Sequence, residues 1–239
     1  MSAALIVPNF GTDDAIKPMP KKDMELTTFC FTDNINEHDP RIVKTWDHVI
    51  QPPYPAAFLP MRQRAYYFKQ QPHRVDELRE FRWLVIADAA FQFRETRFIA
   101  NFLDQLALRP MANRILLAKH PQRATVDEEA AFLLAELDRG NAYFHRRYDA
   151  KRVREQMAWF RRVGFRTDVP LYNAGFIIVE NNTELHAVFN DWWDMQMRFG
   201  QLDQLGLGVI LAANEIAPLA FPVANICEGN PYFTFTAHA

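Results

Sequence analysis

The chain has 239 residues, of which 49% are hydrophobic and 13% aromatic. This composition excludes a disordered chain and predicts a single globular domain over residues 1–239, large enough to bury a substantial core. The formal net charge of −2 gives no overall electrostatic basis for binding nucleic acid or an anionic membrane surface.

Short apolar runs that end at turn residues predict the strands of the first half of the chain. Residues 3–7 and 24–31 form the first two runs, and both pass directly into polar loop residues. Residues 51–60 contain four prolines and therefore predict a loop. Residues 83–93 are mostly apolar, which is typical of a strand buried on both faces of an α/β sheet. Asp88 in this run either follows the end of the strand or is buried and paired.

Helices alternate with further short strands along the rest of the chain. Helices are predicted over residues 63–69, 96–107, 125–139, 149–163, 185–199 and 204–214. Strands are predicted over residues 115–118 and 176–179. The helix that begins at Thr125 has the strongest start signal, because acidic residues follow the capping threonine. This alternation predicts an α/β sandwich with a mostly parallel central sheet flanked by helices.

Polar residues follow three of the predicted strands. Gly11 lies in the loop after the first strand, Thr32 and Asp33 follow the second, and Asp88 follows the apolar run at 83–87. Because ligands bind outside the carboxyl ends of parallel strands, these residues predict a nucleotide site. Asp33 would bind the base or ribose, and Asp88 a divalent cation that neutralises a diphosphate. A second interpretation is that Thr32 and Asp33 only cap the next turn.

Several common sites are excluded by their missing motifs. The eight glycines contain no dinucleotide or P-loop fingerprint, the seven histidines lack the spacing of zinc sites, and the single serine excludes a serine hydrolase. Two cysteines do not form a disulfide framework. With no signal peptide and no run of about 18 apolar residues, we expect a cytoplasmic protein without a membrane span.

Cationic and proton-transferring residues follow other apolar segments. Lys69, His120 and Arg123 are candidates for phosphate contacts, although a structural role is the favoured interpretation of each histidine taken alone. Asp203 and Gln204 either cap the last helix or hold substrate hydroxyls. Residues 145–166 carry eight Lys or Arg against two acids, and this segment either faces phosphates or forms a solvated helix face.

Eight motifs in order resemble a glycosyltransferase-like family of plants and bacteria that was long catalogued as a domain of unknown function. They are FGTDD, FCFTDN, YYFKQQPH, WLVIADAAF, AKHPQRATVDEEAAF, REQMAWFRRVGF, LYNAGFIIVENN and FNDWWDMQMRFGQLDQLGLG, and they span about residues 5–215. That family resembles a branch of the GT-A nucleotide-diphospho-sugar transferases. NAGF followed by DQ is similar to glycogenin-type enzymes. The resemblance implies a GT-A-like, Rossmann-like fold.

The resemblance also implies an activity and its residues. It implies transfer of a sugar from a nucleoside-diphosphate-sugar, with a UDP-sugar favoured, to an acceptor that is a glycan, a lipid-linked saccharide, a protein or a modified nucleic acid. It assigns Asp203, Gln204 and Asn173 to catalysis, and Asp88 and His238 to binding Mn²⁺ or Mg²⁺. The predicted donor-binding residues are Phe10, Gly11, Thr32, Asp33, Lys69, Asp88, Gly175, His120 and Arg123.

Two positions depart from the family pattern. Ala90 stands where the usual Asp-x-Asp motif has its second acid, and Leu202 replaces an arginine before the DQ pair. Lys69, Arg123 or the basic segment at residues 145–166 would then supply the positive charge of the arginine that Leu202 replaces. The departures leave open a non-catalytic nucleotide- or carbohydrate-binding protein on the same fold. A nucleotidyl- or phosphate-transfer enzyme is a third hypothesis, since fold does not determine reaction.

Overall fold

The computed structural model describes residues 2–11, 14–22, 24–34, 38–200 and 202–236. The predicted metal ligand His238 lies outside them. The strands are β1 (Ala3–Asn9), β2 (Thr27–Thr32), β3 (His48–Ile50), β4 (Trp83–Ala87), β5 (Phe91–Phe93), β6 (Ile115–Lys119), β7 (Tyr172–Glu180), β8 (Leu219–Ala220) and β9 (Phe233–Phe235). Seven of them form the central sheet, whereas β5 and β9 pair separately.

The central sheet has the strand order β3-β2-β1-β4-β7-β6-β8. All neighbouring pairs in it are parallel except the two that β7 makes, with β4 and with β6. The predicted mostly parallel sheet is therefore confirmed. The direction of β7 matters for the site, because it brings the amino end of β7 to the edge where the parallel strands have their carboxyl ends.

Eight helices are described: α1 (Pro40–Val43), α2 (Met61–Gln70), α3 (Arg97–Ala107), α4 (Val126–Asp138), α5 (Ala142–His145), α6 (Ala150–Arg162), α7 (Thr183–Phe199) and α8 (Asp203–Ala213). Thr125 caps α4 as predicted, with its hydroxyl accepting the backbone N–H of Glu128 at 3.2 Å. None of the helices in the described part of the chain combines the length and the apolarity needed to cross a bilayer.

Alternate residues of β1 divide the core between the two faces of the sheet. Ala4 and Ile6 pack with α2, α4, α6, α7 and α8 on one face. Leu5 and Val7 pack with α3, β5 and β9 on the other. This two-sided burial explains the continuous apolar runs, because a central parallel strand has no face in contact with water. The predicted α/β sandwich is confirmed.

The structure corrects the predicted boundaries at three places. The run at 83–93 is two strands, because Phe91 N donates to Asp88 O at 3.0 Å and turns the chain after β4. Strand β2 begins at Thr27 and not at residue 24, and β7 begins at Tyr172 and not at residue 176. The short elements α1 and β3 were not predicted, since four and three residues are too few to show a periodic pattern.

Candidate functional site

An open cleft of about 510 Å³ lies at the carboxyl ends of β1 and β4. Phe10, which follows β1, and Asp88, which follows β4, line the cleft, and so does Gly175 near the amino end of β7. Helix α2 contributes a face with Arg62, Tyr66 and Lys69, which repeat at helical spacing. Two further segments complete the walls: residues 146–148, between α5 and α6, and residues 202–204, at the start of α8. The cleft is where open α/β sheets bind ligands.

Lys69 joins two carboxylates on the cleft wall. Its Nζ lies 2.8 Å from Asp88 Oδ1 and 3.1 Å from Asp203 Oδ2. The Lys69 and Asp203 side chains are only 8% and 7% exposed, whereas that of Asp88 is 39% exposed. Asp88 is therefore the carboxylate that a ligand in the cleft meets first, and Lys69 ties it to the buried Asp203.

The charge of Lys69 is maintained by this pairing. Burial alone lowers the pKa of the lysine, but attraction to Asp203 and Asp88 outweighs burial and raises the pKa above its ordinary value. The ammonium group therefore stays protonated throughout the neutral range. A buried ammonium without such partners would be expected to lose its proton or to destabilise the fold.

Asp203 is held in place by α7. It is the first residue of α8, and its backbone carbonyl accepts the indole N–H of the buried Trp192 at 2.9 Å. Close packing of α7 on α8 occurs at Gly206, where an added Cβ would lie 3.3 Å from the Trp192 ring. Trp192 thus positions the start of α8, and Gln204 of the same turn also lines the cleft.

The NAGF segment forms the surface beneath Asp88. Gly175 O accepts the backbone N–H of Asp88 at 2.8 Å, and Asn173 Oδ1 accepts the N–H of Gly175 at 2.8 Å. A Cβ on Gly175 would lie 3.0 Å from Asp88 Oδ2 and 3.0 Å from Asn173 Oδ1. A side chain at this position would therefore have to displace the Asp88 or Asn173 side chain by a few tenths of an ångström.

The predicted residues of the first loop fall partly outside the cleft. Phe10 lines it, whereas Gly11, with φ +78°, donates its N–H to Asp33 Oδ1 at 3.1 Å. Asp33 also pairs with Arg64 at 3.2 Å. The hydroxyl of Thr32 accepts the N–H of Asn34 at 3.2 Å. These contacts agree with the interpretation that Thr32 and Asp33 cap the turn after β2. A role of the two residues in donor binding stays a prediction.

His120 and Arg123 are not brought to the cleft. Arg123 pairs with Glu129, and its guanidinium lies 4.1 Å from the centre of the Phe132 ring. His120 Nδ1 accepts the N–H of Arg123 at 3.1 Å. Burial, with the charge of Arg123, lowers the pKa of His120 to about 4. These contacts are those of a structural histidine and its neighbour.

Arg62, Tyr66 and Tyr148 also line the cleft, and none of them was predicted from the sequence. Arg62 Nε donates to the Tyr66 hydroxyl at 3.0 Å, and the guanidinium lies 4.8 Å from the centre of the Tyr148 ring. Burial, strengthened by Asp203, raises the pKa of Tyr66 above its ordinary value. The spacing of Arg62, Tyr66 and Lys69 along one face of α2 was the signal that would have identified two of them.

Binding of Mn²⁺ or Mg²⁺ at Asp88 stays a prediction, because such an ion can be held by one or two carboxylates together with substrate phosphates. Lys69 already contacts Asp88 Oδ1, and the fully buried Ala90 offers no ligand. Within the described ranges, no group of three or more His, Cys, Asp or Glu side chains is placed to hold a metal ion.

Comparison with known proteins identifies the fold. No known family model matches the chain, and no curated protein sequence matches it. Among solved structures, the apo form of mouse Xyloside xylosyltransferase 1 matches with a TM-score of 0.54, 10% sequence identity, 92% of this chain covered and 85% of that chain. At this identity the likeness shows the fold alone, and that fold is the GT-A-like fold of a glycosyltransferase.

Proposed function

We propose that the protein is a glycosyltransferase that moves a sugar from a nucleoside-diphosphate-sugar to an acceptor hydroxyl. The observation that carries the proposal is the Asp88–Lys69–Asp203 arrangement in the cleft at the carboxyl ends of β1 and β4, on a fold that it shares with a xylosyltransferase. The similarity of NAGF and DQ to glycogenin-type enzymes supports the same assignment, because Gly175, Asp203 and Gln204 all line this cleft.

The proposed reaction exchanges one bond at the anomeric carbon. The bond from this carbon to the β-phosphate oxygen breaks, and its electron pair leaves with the nucleoside diphosphate. The acceptor oxygen forms the new bond, and its proton passes through Asp88 to solvent. Lys69, 2.8 Å from Asp88 Oδ1, would position that carboxylate and stabilise negative charge that develops on the leaving diphosphate. Asp203 would fix Lys69, and Asn173 would act through the backbone of Gly175.

The test is a panel of UDP- and GDP-sugars incubated with the purified protein. Release of nucleoside diphosphate, measured with simple sugars and glycans as acceptors, is the expected result, with UDP-sugars the favoured donors. Release of pyrophosphate in its place would identify a nucleotidyl transferase. The proposal is wrong if no nucleotide-sugar binds in calorimetric titrations.

A second candidate is a non-catalytic binding protein for nucleotides or carbohydrates. The specific observation in its favour is Ala90, which leaves the strand end with one acid where the resembled family has two. This candidate predicts that UDP-sugars bind but that neither transfer nor hydrolysis of the donor occurs over hours. Mass spectrometry of the recovered donor separates the two candidates.

A further inference from the structure

Three arginines line the same cleft as Asp88. Arg62 belongs to α2, and Arg146 and Arg147 lie between α5 and α6. Arg62 is held in a fixed orientation, because it donates to Tyr66 Oη at 3.0 Å and to the backbone carbonyl of Arg147. The contact with Arg147 O also ties α2 to the segment that carries the other two arginines. The three side chains therefore form one wall, which we call the arginine wall.

The arginine wall differs from the other basic side chains of residues 145–166. Arg154, Arg161 and Arg166 pair with aspartates on the protein surface. In the part of the chain that the structure describes, Arg62, Arg146 and Arg147 form no ion pair with an acid. The Arg147 guanidinium lies 4.3 Å from the centre of the Tyr143 ring. Arginines that line a cleft without an ion-paired acid favour an anion there, because their planar donors match phosphate oxygens.

Lys69, on the same face of α2 as Arg62, supplies a fourth cation to the cleft. Lys69 is the charge that contacts Asp88, at 2.8 Å. The cleft is lined by four basic and three acidic residues: Arg62, Lys69, Arg146 and Arg147, and Asp14, Asp88 and Asp203. Asp88 and Asp203 are engaged by Lys69, and Asp14 lies 3.6 Å from Lys17. Lys69 carries one charge against two carboxylates, so, among the described residues, the cleft cations that are not in an ion pair with an acid are the three of the arginine wall.

We infer that the arginine wall binds the diphosphate of the donor and neutralises its charge in the place of a divalent cation. This inference rests on the proposed function for the identity of the ligand. A diphosphate brings several charged oxygens, so two or three guanidinium groups can each make charge-assisted hydrogen bonds to it. Binding should weaken as the salt concentration rises, because both partners are charged.

The test measures binding of UDP and of inorganic pyrophosphate in EDTA. Both should bind without a metal, and Mn²⁺ should change the Kd for UDP less than about threefold. Arg146→Gln and Arg147→Gln should each weaken binding about tenfold, the effect of losing one charge-assisted hydrogen bond. Both residues lie at the surface, so the variants should fold, and circular dichroism checks this. Arg62→Lys tests the same wall without removing charge.

Arg152→Gln and Arg162→Gln are the matched controls, since these arginines of α6 are exposed and do not line the cleft. They should bind UDP like the unaltered protein. The inference is overturned if UDP binds only with Mn²⁺, or if Arg146→Gln and Arg147→Gln bind like the controls. Metal-free binding of UDP without transfer from any donor would overturn the proposed function alone, whereas transfer that EDTA abolishes would overturn this inference alone.

Discussion

Lys69 and Asp203 meet at 3.1 Å although 134 positions separate them in the chain. Helix α2 carries the lysine and the first turn of α8 the aspartate, and α7 packs on both helices. An ion pair with both side chains this buried requires each charge to compensate the other. The pair therefore links the stability of the domain to the arrangement of its cleft.

Replacing Lys69 by Met should destabilise the protein strongly. The substitution leaves Asp203 buried without its cation, and we expect the free energy of unfolding to fall by about 3–5 kcal/mol. Urea unfolding followed by circular dichroism measures it. Lys151→Met is the matched control, because the Lys151 side chain is 83% exposed and pairs weakly at 4.0 Å. The double variant Lys69→Met/Asp203→Leu should recover part of the lost stability, because it leaves no unpaired buried charge from this ion pair. A double variant no more stable than Lys69→Met would contradict the role of the ion pair.

Asp88→Asn should separate activity from stability. Asp88 is the exposed member of the arrangement, so its loss should change the free energy of unfolding by less than about 1 kcal/mol. If it relays the acceptor's proton, kcat should fall at least about 100-fold. Asp104→Asn, on the exposed face of α3, should change neither quantity. Full turnover in Asp88→Asn would remove the residue from the mechanism.

Gly175→Ala should impair the site and leave the protein folded. The new methyl group would meet Asp88 Oδ2, Asn173 Oδ1 and the Phe91 ring, each at 3.0 Å. Because the first two are side-chain atoms on the cleft side, they can move, and we expect a drop in kcat of roughly tenfold or more from the displaced carboxylate. Steady-state kinetics measures it, and unchanged kcat with intact stability would show that Asp88 tolerates the displacement.

The sequence predicted well what depends on neighbours along the chain. The buried strand that begins at Trp83 and the capped start of α4 follow from local patterns, and both are confirmed. The turn after Ala87, which divides the run at 83–93 into two strands, was not predicted. The contacts between residues that are distant in the chain could not be predicted from the sequence. Nothing local shows that β7 is antiparallel, that Lys69 reaches Asp203, or that two of the eight basic residues at 145–166 line the cleft. His120 and Arg123 follow a strand as Asp88 does, yet Arg123 pairs with Glu129 on α4.

His73 should make the stability of the protein pH-dependent. Its ring stacks on His186 with the centroids 4.3 Å apart, and burial, with the nearby His186, lowers the pKa of His73 to about 4. In the unfolded chain the pKa returns to about 6.5. Above pH 6.5 neither state binds the proton, so this contribution to stability is complete. Between pH 6.5 and 4 the unfolded chain binds a proton that the folded protein does not, and the free energy of unfolding falls.

His73→Gln should remove part of this pH dependence. Because the histidine is only partly buried, we expect the fall in unfolding free energy between pH 7 and pH 4 to shrink by about 1–2 kcal/mol. Urea unfolding at half-unit pH intervals measures the difference, with acidic groups contributing equally to both proteins. His48→Gln is the control, because His48 lies exposed on the ring of Phe29. If His73→Gln and His48→Gln give the same profile, the proton uptake of His73 does not govern acid stability.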